Sequence, residues 1–191
     1  MPQTIGLVAG IIIVIGYFPY IKSVIRHSTK PSRASWAIWT LSTTVILFSA
    51  YATGTRDGIW FLIADAIGCL TIFIMSIRDG VGGTDMVDKI SFVISILSLV
   101  LWLTTKNATI SLVANLGIYT SGYISTIMKS WEHPAEENKT ARVIFFIGSV
   151  LEVVATATSG ATSFEVWVYP IVILLVVGTL AGVLVFRKKV S

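Results

Sequence analysis

Two carboxylates stand out because each lies deep inside a long apolar segment, and these are Asp65 and Glu152. A carboxylate at the centre of a bilayer costs about 2.5–3.5 kcal/mol even on a mild insertion scale, so such residues usually mark functional sites. Asn115 lies at a similar distance from the end of its own segment. At ~1.5 Å per helical residue, all three would lie roughly 10–12 Å below one surface.

The surroundings of this polar layer indicate a site between helices. Tyr119 follows Asn115 by four residues and shares its helix face. Gly68, three residues after Asp65, would leave space beside the carboxylate or admit a close helix. No Lys, Arg or His is expected at the same depth, so Asp65 and Glu152 would be protonated, share a proton, bind a cation or meet a cationic ligand. Burial favours the protonated carboxyl, which suits proton coupling. The alternative for the layer is interhelical hydrogen bonding alone.

Pro19, Trp36 and Trp39 lie closer to a membrane surface. Pro19 removes one backbone hydrogen bond from its helix, which predicts either a hinge for alternating access or a static kink. Trp36 and Trp39 fall near the end of their segment, where an aromatic belt is expected. Their alternative role is a cytosolic gate.

Other reactive residue types do not form a catalytic or cofactor-binding pattern. His27 and His133 have no partners at metal-ligand spacing, and the glycines at 80–83 are not followed by the Lys and hydroxyl residue of a phosphate loop. No nucleophile and base occur in a catalytic arrangement. We therefore expect no enzyme activity, no metal and no cofactor.

The elements that must position these residues are apolar helices. Hydrophobic residues make up 54% of the chain and charged residues 13%, with a mean hydropathy of +0.84, which predicts a membrane protein. Polar stretches separate apolar runs of the ~20 residues that a membrane-spanning helix needs. The sequence predicts an all-α protein with seven transmembrane helices over 4–25, 35–53, 58–77, 86–105, 108–129, 142–160 and 166–186.

Basic residues fix the predicted orientation of these helices. With the N-terminus outside, the cytoplasmic side collects twelve Lys and Arg residues, and the outer side receives only Arg56 and Lys106. The twelve are Lys22, Arg26, Lys30, Arg33, Arg78, Lys89, Lys129, Lys139, Arg142, Arg187, Lys188 and Lys189. We expect an integral protein of a prokaryotic cell membrane, with the C-terminus in the cytoplasm. Because topology accounts for the positive charge, no nucleic-acid partner is expected.

The chain also contains an internal repeat. Residues 4–10, Thr-Ile-Gly-Leu-Val-Ala-Gly, recur as residues 109–115, Thr-Ile-Ser-Leu-Val-Ala-Asn, and Gly16-Tyr17 recurs as Gly122-Tyr123. The predicted arrangement is two parallel three-helix bundles, residues 1–80 and 108–191, joined by a linker helix within residues 81–107. Transporters often hold their substrate between such repeats.

The sequence Gly16-Tyr-Phe-Pro-Tyr20, the basic loop after it, and Ser35-Trp-Ala-Ile-Trp39 resemble the SWEET and PQ-loop (MtN3-like) superfamily. The resemblance implies the same arrangement of seven helices and a transport function. Asp65 stands where sugar-carrying members place an Asn, and Tyr20 stands where the PQ motif has Gln. Trp36 and Trp39 also have the spacing of the Trp pair in nicotinamide riboside carriers, which share this plan.

The function that we expect is alternating-access transport of a small solute, either a cation or amine or with proton coupling. Asp65, Asn115, Tyr119 and Glu152 would contact the substrate, and Asp65 and Glu152 would be the proton-coupling candidates. The alternatives are a sugar facilitator, a vitamin-precursor uniporter and a receptor that binds without transporting. A receptor pocket for a carboxylate would need a deep basic residue, and the sequence predicts none. The oligomeric state stays open.

Overall fold

The computed structural model describes residues 2–52, 59–82 and 108–187, together with residues 89, 90, 93, 96, 97, 100 and 104. Within these residues the protein is all-α, as predicted. Most of the linker helix predicted over 86–105 lies outside the described residues. Each of the other six predicted segments is a helix whose ends fall within three residues of the prediction. They are α1 (Pro2–Ile25), α2 (Arg33–Ala52), α3 (Ile59–Asp79), α4 (Ala108–Glu132), α5 (Lys139–Thr158) and α6 (Phe164–Phe186).

Helices α1, α3, α5 and α6 are each long and apolar enough to cross a membrane. These four helices are those of an integral membrane protein. The helices α2 and α4 are as long but less apolar, because each carries a row of Ser and Thr side chains. The outward-facing side chains of the molecule are large and apolar, as a lipid-facing surface requires, with Phe18, Ile67 and Leu175 each more than 60% exposed.

The six described helices pack side by side in a closed order. Helix α3 lies between α1 and α2, and α6 lies between α4 and α5. The order closes through two further contacts, α1 against α5 and α2 against α4. This arrangement surrounds a central axis with side chains from every described helix.

The connections at one end of the helices meet each other. Residues 31–33 pair with Val81, and the backbone N–H of Lys30 donates to the carbonyl of Glu136, which lies in a short 3-10 helix (Pro134–Glu136) before α5. We call this end, formed by residues 26–32, 80–82 and 133–138, the basic face. The N-terminus of α1 and residues 159–163 lie at the opposite face.

Candidate functional site

A cavity lies on the central axis, and every one of the six described helices contributes to its wall. Its free space is about 20 Å³, enough for one water molecule. The wall is mostly aromatic and contains one acid and one base. It is formed by Ile13, Tyr17, Trp36, Trp39, Phe61, Asp65, Cys69, Tyr119, Tyr123, Arg142, Phe145, Ile173 and Val177.

Twelve of the thirteen wall residues can be matched in six pairs by their spacing in the sequence, and Phe61 is left over. Each partner lies 106 positions after its counterpart in α1 and α2, and 108 positions after it in α3. Four pairs are apolar or aromatic. Two of them join α1 with α4, one joins α2 with α5, and one joins α3 with α6. These four are Ile13 with Tyr119, Tyr17 with Tyr123, Trp39 with Phe145, and Cys69 with Val177.

Two of the pairs contain a charged residue. Asp65 of α3 is matched with Ile173 of α6, and Arg142 of α5 is matched with Trp36 of α2. The acid on the wall therefore comes from α3 and the base from α5.

Asp65 is held by one tyrosine of α1 and one of α4. Its side chain is 8% exposed, and its Oδ1 accepts a hydrogen bond of 2.9 Å from the Tyr17 hydroxyl. Its Oδ2 accepts a longer one, 3.4 Å, from the Tyr119 hydroxyl. Tyr17 also lies 3.4 Å from the Cys69 sulfur. These donors can stabilise a charged carboxylate, which makes Asp65 the strongest cation-binding group on the wall.

Gly68 makes the Tyr17–Asp65 contact possible. A Cβ atom at this position would lie 1.9 Å from Cε2 of Tyr17, so only glycine admits the ring. The prediction that Gly68 admits a close neighbour beside Asp65 is confirmed. The neighbour is the Tyr17 ring on α1.

Arg142 is predicted to lie at the cytoplasmic surface, but it is 2% exposed and lies on the same cavity wall as Asp65. Its charge is matched by Glu137, whose side chain is 1% exposed. Arg142 Nε donates to Glu137 Oε2 at 3.1 Å, and Nη2 lies 3.1 Å from the same oxygen. A buried arginine requires such a partner.

The belt interpretation of Trp36 and Trp39 is wrong. They are 2% and 1% exposed, respectively, and their rings meet edge to face at 4.9 Å on the cavity wall. Trp39 Nε1 donates to the carbonyl of Tyr119 at 3.2 Å, so it ties α2 to α4. Trp60 and Trp131 are more than half exposed, as belt residues would be. The gate role of Trp36 and Trp39 stays a prediction.

Asn115 and Glu152 are buried but do not line the cavity. Asn115 Nδ2 donates to the carbonyl of Ser42 at 2.9 Å. Nearer the basic face, Thr126 Oγ1 of α4 donates to Ser35 Oγ of α2 at 3.2 Å. Asn115 therefore belongs to a polar seam between α2 and α4, which fits the hydrogen-bonding alternative. Glu152 is 5% exposed within α5.

Pro19 lies inside α1, which continues unbroken to Ile25. Its carbonyl accepts a 3.0 Å hydrogen bond from Asn138 Nδ2, and Asn138 Oδ1 caps α5 by accepting from the Ala141 N–H at 2.9 Å. One asparagine thus joins the proline segment of α1 to the start of α5. The hinge role of Pro19 stays a prediction.

An exposed ion-pair network surrounds Glu136 on the basic face. Lys30 Nζ donates to Glu136 Oε1 at 2.8 Å, and Lys129 Nζ lies 3.8 Å from Oε2 and donates to the Lys30 carbonyl. The hydrogen bond from Lys30 lowers the pKa of the Glu136 carboxyl below its usual range. No group of three or more His, Cys, Asp and Glu residues that could hold a metal ion occurs in the described part of the chain.

Comparison with protein-family models, curated proteins and solved structures finds no match to this chain.

Proposed function

We propose that this protein is a small-solute transporter that works by alternating access and takes an amine or another small cation. In this proposal the two repeats, α1–α3 and α4–α6, are parallel bundles joined by the linker helix over 86–105. They move relative to each other in a membrane, with the N-terminus outside and the C-terminus in the cytoplasm. The observation that carries the proposal is the central cavity, whose wall comes from all six described helices and contains a buried carboxylate.

The position of the cavity supports transport. A solute at this place contacts both repeats at once, so its binding can depend on how the repeats are arranged. Tyr17 and Tyr119, one from each repeat, already meet at the Asp65 carboxylate. A solute that replaces the Tyr119 hydroxyl would therefore change a contact between the repeats.

The chemistry of the wall supports a cationic solute. Aromatic faces attract cations, and a carboxylate in a low-dielectric site attracts them more strongly. Arg142 pairs with Glu137 Oε2, and Lys129 Nζ lies 4.0 Å from Glu137 Oε1, whereas Asp65 forms no ion pair among the described residues. With Asp65 ionised, its carboxylate supplies the negative charge on the cavity wall. Protonation of Asp65 would remove that charge, which supports proton competition with the solute.

A second candidate solute is a nicotinamide riboside-like vitamin precursor. The observation that favours it is the edge-to-face pair Trp36 and Trp39 on the cavity wall. Such a solute carries an aromatic cation, which could stack on an indole and face Asp65. The burial of Arg142 also removes the earlier argument against a carboxylate-binding receptor, although Glu137 would have to leave the guanidinium first.

The test is counterflow of labelled amines and of nicotinamide riboside in proteoliposomes. In Asp65→Asn we expect solute affinity to fall about 10- to 100-fold, the equivalent of one lost charged contact, and the pH dependence of exchange to weaken. Asp79→Asn removes an acid at the basic face and serves as the control. Glu152→Gln tests the second buried acid. We expect a smaller loss of solute affinity than in Asp65→Asn, because Glu152 does not line the cavity.

Unchanged exchange in Asp65→Asn would refute the site. Saturable binding without exchange would favour the receptor.

A further inference from the structure

Arg142 and Glu137 lie between the cavity and the basic face, where they close one end of the wall. Glu137 comes from the connection before α5, and Arg142 lies in the first turn of that helix. Both side chains are almost fully buried, at 1% and 2% exposure. An ion pair in such a place is a poor source of stability, because removing two charges from water offsets most of their attraction.

The pair is bound to the first repeat through aromatic side chains. The Tyr20 hydroxyl of α1 donates to Glu137 Oε1 at 3.5 Å, and Trp36 Nε1 of α2 donates to the same hydroxyl at 3.3 Å. The guanidinium carbon of Arg142 lies 5.2 Å from the Tyr20 ring centre and 5.5 Å from that of Trp36. These distances are within the range of cation–π attraction. The four residues therefore connect the two repeats directly.

We propose that Tyr20, Trp36, Glu137 and Arg142 form a latch that holds the cavity closed toward the basic face and opens when the repeats separate there. The proposal rests on the transport function proposed above.

The chemistry of the pair suits a seal that must open. An apolar plug of similar size would be penalised on opening, since exposing apolar surface to water costs about 25 cal/mol per Å². Charged groups instead gain hydration when water enters, which offsets the lost contact. The closed state still requires one specific partner arrangement, because either charge left buried alone is strongly unfavourable. The latch can thus form one specific closed arrangement and still open.

The chain contains its own reporter for opening, since Cys69 is its only cysteine and lies on the cavity wall, 2% exposed. The experiment measures the labelling rate of Cys69 by a small, membrane-impermeant, cationic methanethiosulfonate. The reagent is added to oriented vesicles from the basic face or from the opposite face. The rate reports access to the cavity whether or not any solute is transported.

The test variant is Glu137→Gln, which leaves the Arg142 guanidinium buried without its carboxylate when the latch is closed. We expect labelling from the basic face to increase about tenfold or more, because a charge buried alone is strongly unfavourable and the two-state equilibrium responds exponentially to that cost. Labelling from the opposite face should not increase. The control is His27→Gln with Asp79→Asn, a pair at the same end of the helices whose nitrogen and oxygen lie 3.7 Å apart, and it should leave the rate within about twofold.

A second variant keeps the proposal testable if Glu137→Gln does not fold. Tyr20→Phe removes the hydroxyl that joins α1 to Glu137 and retains the ring, and Tyr169→Phe, near the opposite face, is its control. We expect a severalfold increase in labelling for Tyr20→Phe alone.

Unchanged Cys69 labelling from the basic face in a folded variant of either kind would overturn the latch. If labelling increases but no solute exchanges in proteoliposomes, the latch stands and the transport proposal fails. If exchange persists and labelling does not change, the transport proposal stands and the latch fails.

Discussion

Gly68→Ala tests whether the Tyr17–Asp65 contact organises the cavity. The added Cβ would lie 1.9 Å from Cε2 of Tyr17 and 2.1 Å from its Cζ. Carbon atoms pack best at about 3.5–4.0 Å, so the ring must move by about 1.5–2 Å. Tyr17 is 6% exposed, and its ring centre lies 4.8 Å from that of Phe145, so such a movement displaces neighbours.

The expected cost combines overpacking and a lost hydrogen bond. Overpacking costs about 1–3 kcal/mol. A shift of this size takes the Tyr17 hydroxyl beyond bonding distance of Asp65, which costs about 1.5–3 kcal/mol for a charged acceptor. Replacing Gly by Ala within a helix recovers up to about 1 kcal/mol. We expect a net loss of about 2–5 kcal/mol in the free energy of unfolding.

The assay is a denaturant titration in detergent micelles, with Gly117→Ala as the matched control. A Cβ at Gly117 has no neighbour within 4 Å, so this helical substitution should be neutral or stabilising. Tyr17→Ala removes the ring, and in that background Gly68→Ala should cost almost nothing. Equal stability of Gly68→Ala and Gly117→Ala, or a cost that persists without the Tyr17 ring, would refute the reasoning.

Two further predictions concern residues outside the cavity wall. Asn115→Ala should lower the free energy of unfolding by about 1–2 kcal/mol, because it removes the hydrogen bond to Ser42, and it should leave solute affinity unchanged in counterflow; a fall in affinity would show that Asn115 contacts the solute. The lowered pKa of Glu136 means that its pair with Lys30 stabilises the fold above the ordinary carboxyl pKa of about 4.3, and that this contribution disappears as the pH falls through the lowered value. The stability difference between the protein and Lys30→Gln should therefore shrink between pH 6 and pH 3, and it should stay below about 1 kcal/mol because the pair is exposed; a difference that is constant over this range would contradict the pairing.

The helices could be predicted from sequence because a helix that spans a lipid bilayer must meet simple requirements of length and composition. A run of apolar residues must be long enough to span, and polar connections such as residues 133–138 must interrupt it. Asp65 could be predicted for the same reason, since a carboxylate inside an apolar run conflicts with its surroundings. The internal repeat also pointed to Gly16-Tyr17 and Gly122-Tyr123, and both tyrosines line the cavity.

Arg142 could not be placed by the same reasoning. Arg142 is the fourth residue of its helix, where an arginine resembles the basic residues that set membrane orientation. Hydropathy does not distinguish an exposed side chain from a buried one. The missing information was the partner, because Glu137 makes its burial possible.

Trp36 and Trp39 were misread for a related reason. An indole near the end of a membrane helix is equally compatible with a headgroup contact and with a protein contact. Helical spacing alone does not say which side of α2 faces α4. The structure shows which side it is, because Gly122 of α4 approaches Trp39 so closely that a Cβ there would lie 2.8 Å from Trp39 Nε1. The sequence does not show this contact.

Asp65 and Arg142 each have an uncharged residue at the matching position of the other half of the chain, and this asymmetry has a consequence for how the cavity could be assembled. If one repeat assembled as a symmetric homodimer, each wall residue would appear twice about the axis, giving two aspartates or two arginines around a space of about 20 Å³. Like charges so close cannot both stay ionised at ordinary cost. Two copies within one chain can change separately, so Ile173 and Trp36 can occupy the positions where a second Asp65 and a second Arg142 would otherwise lie. Fusion thus permits a cavity that carries one charge of each sign, which a self-assembling half could not make.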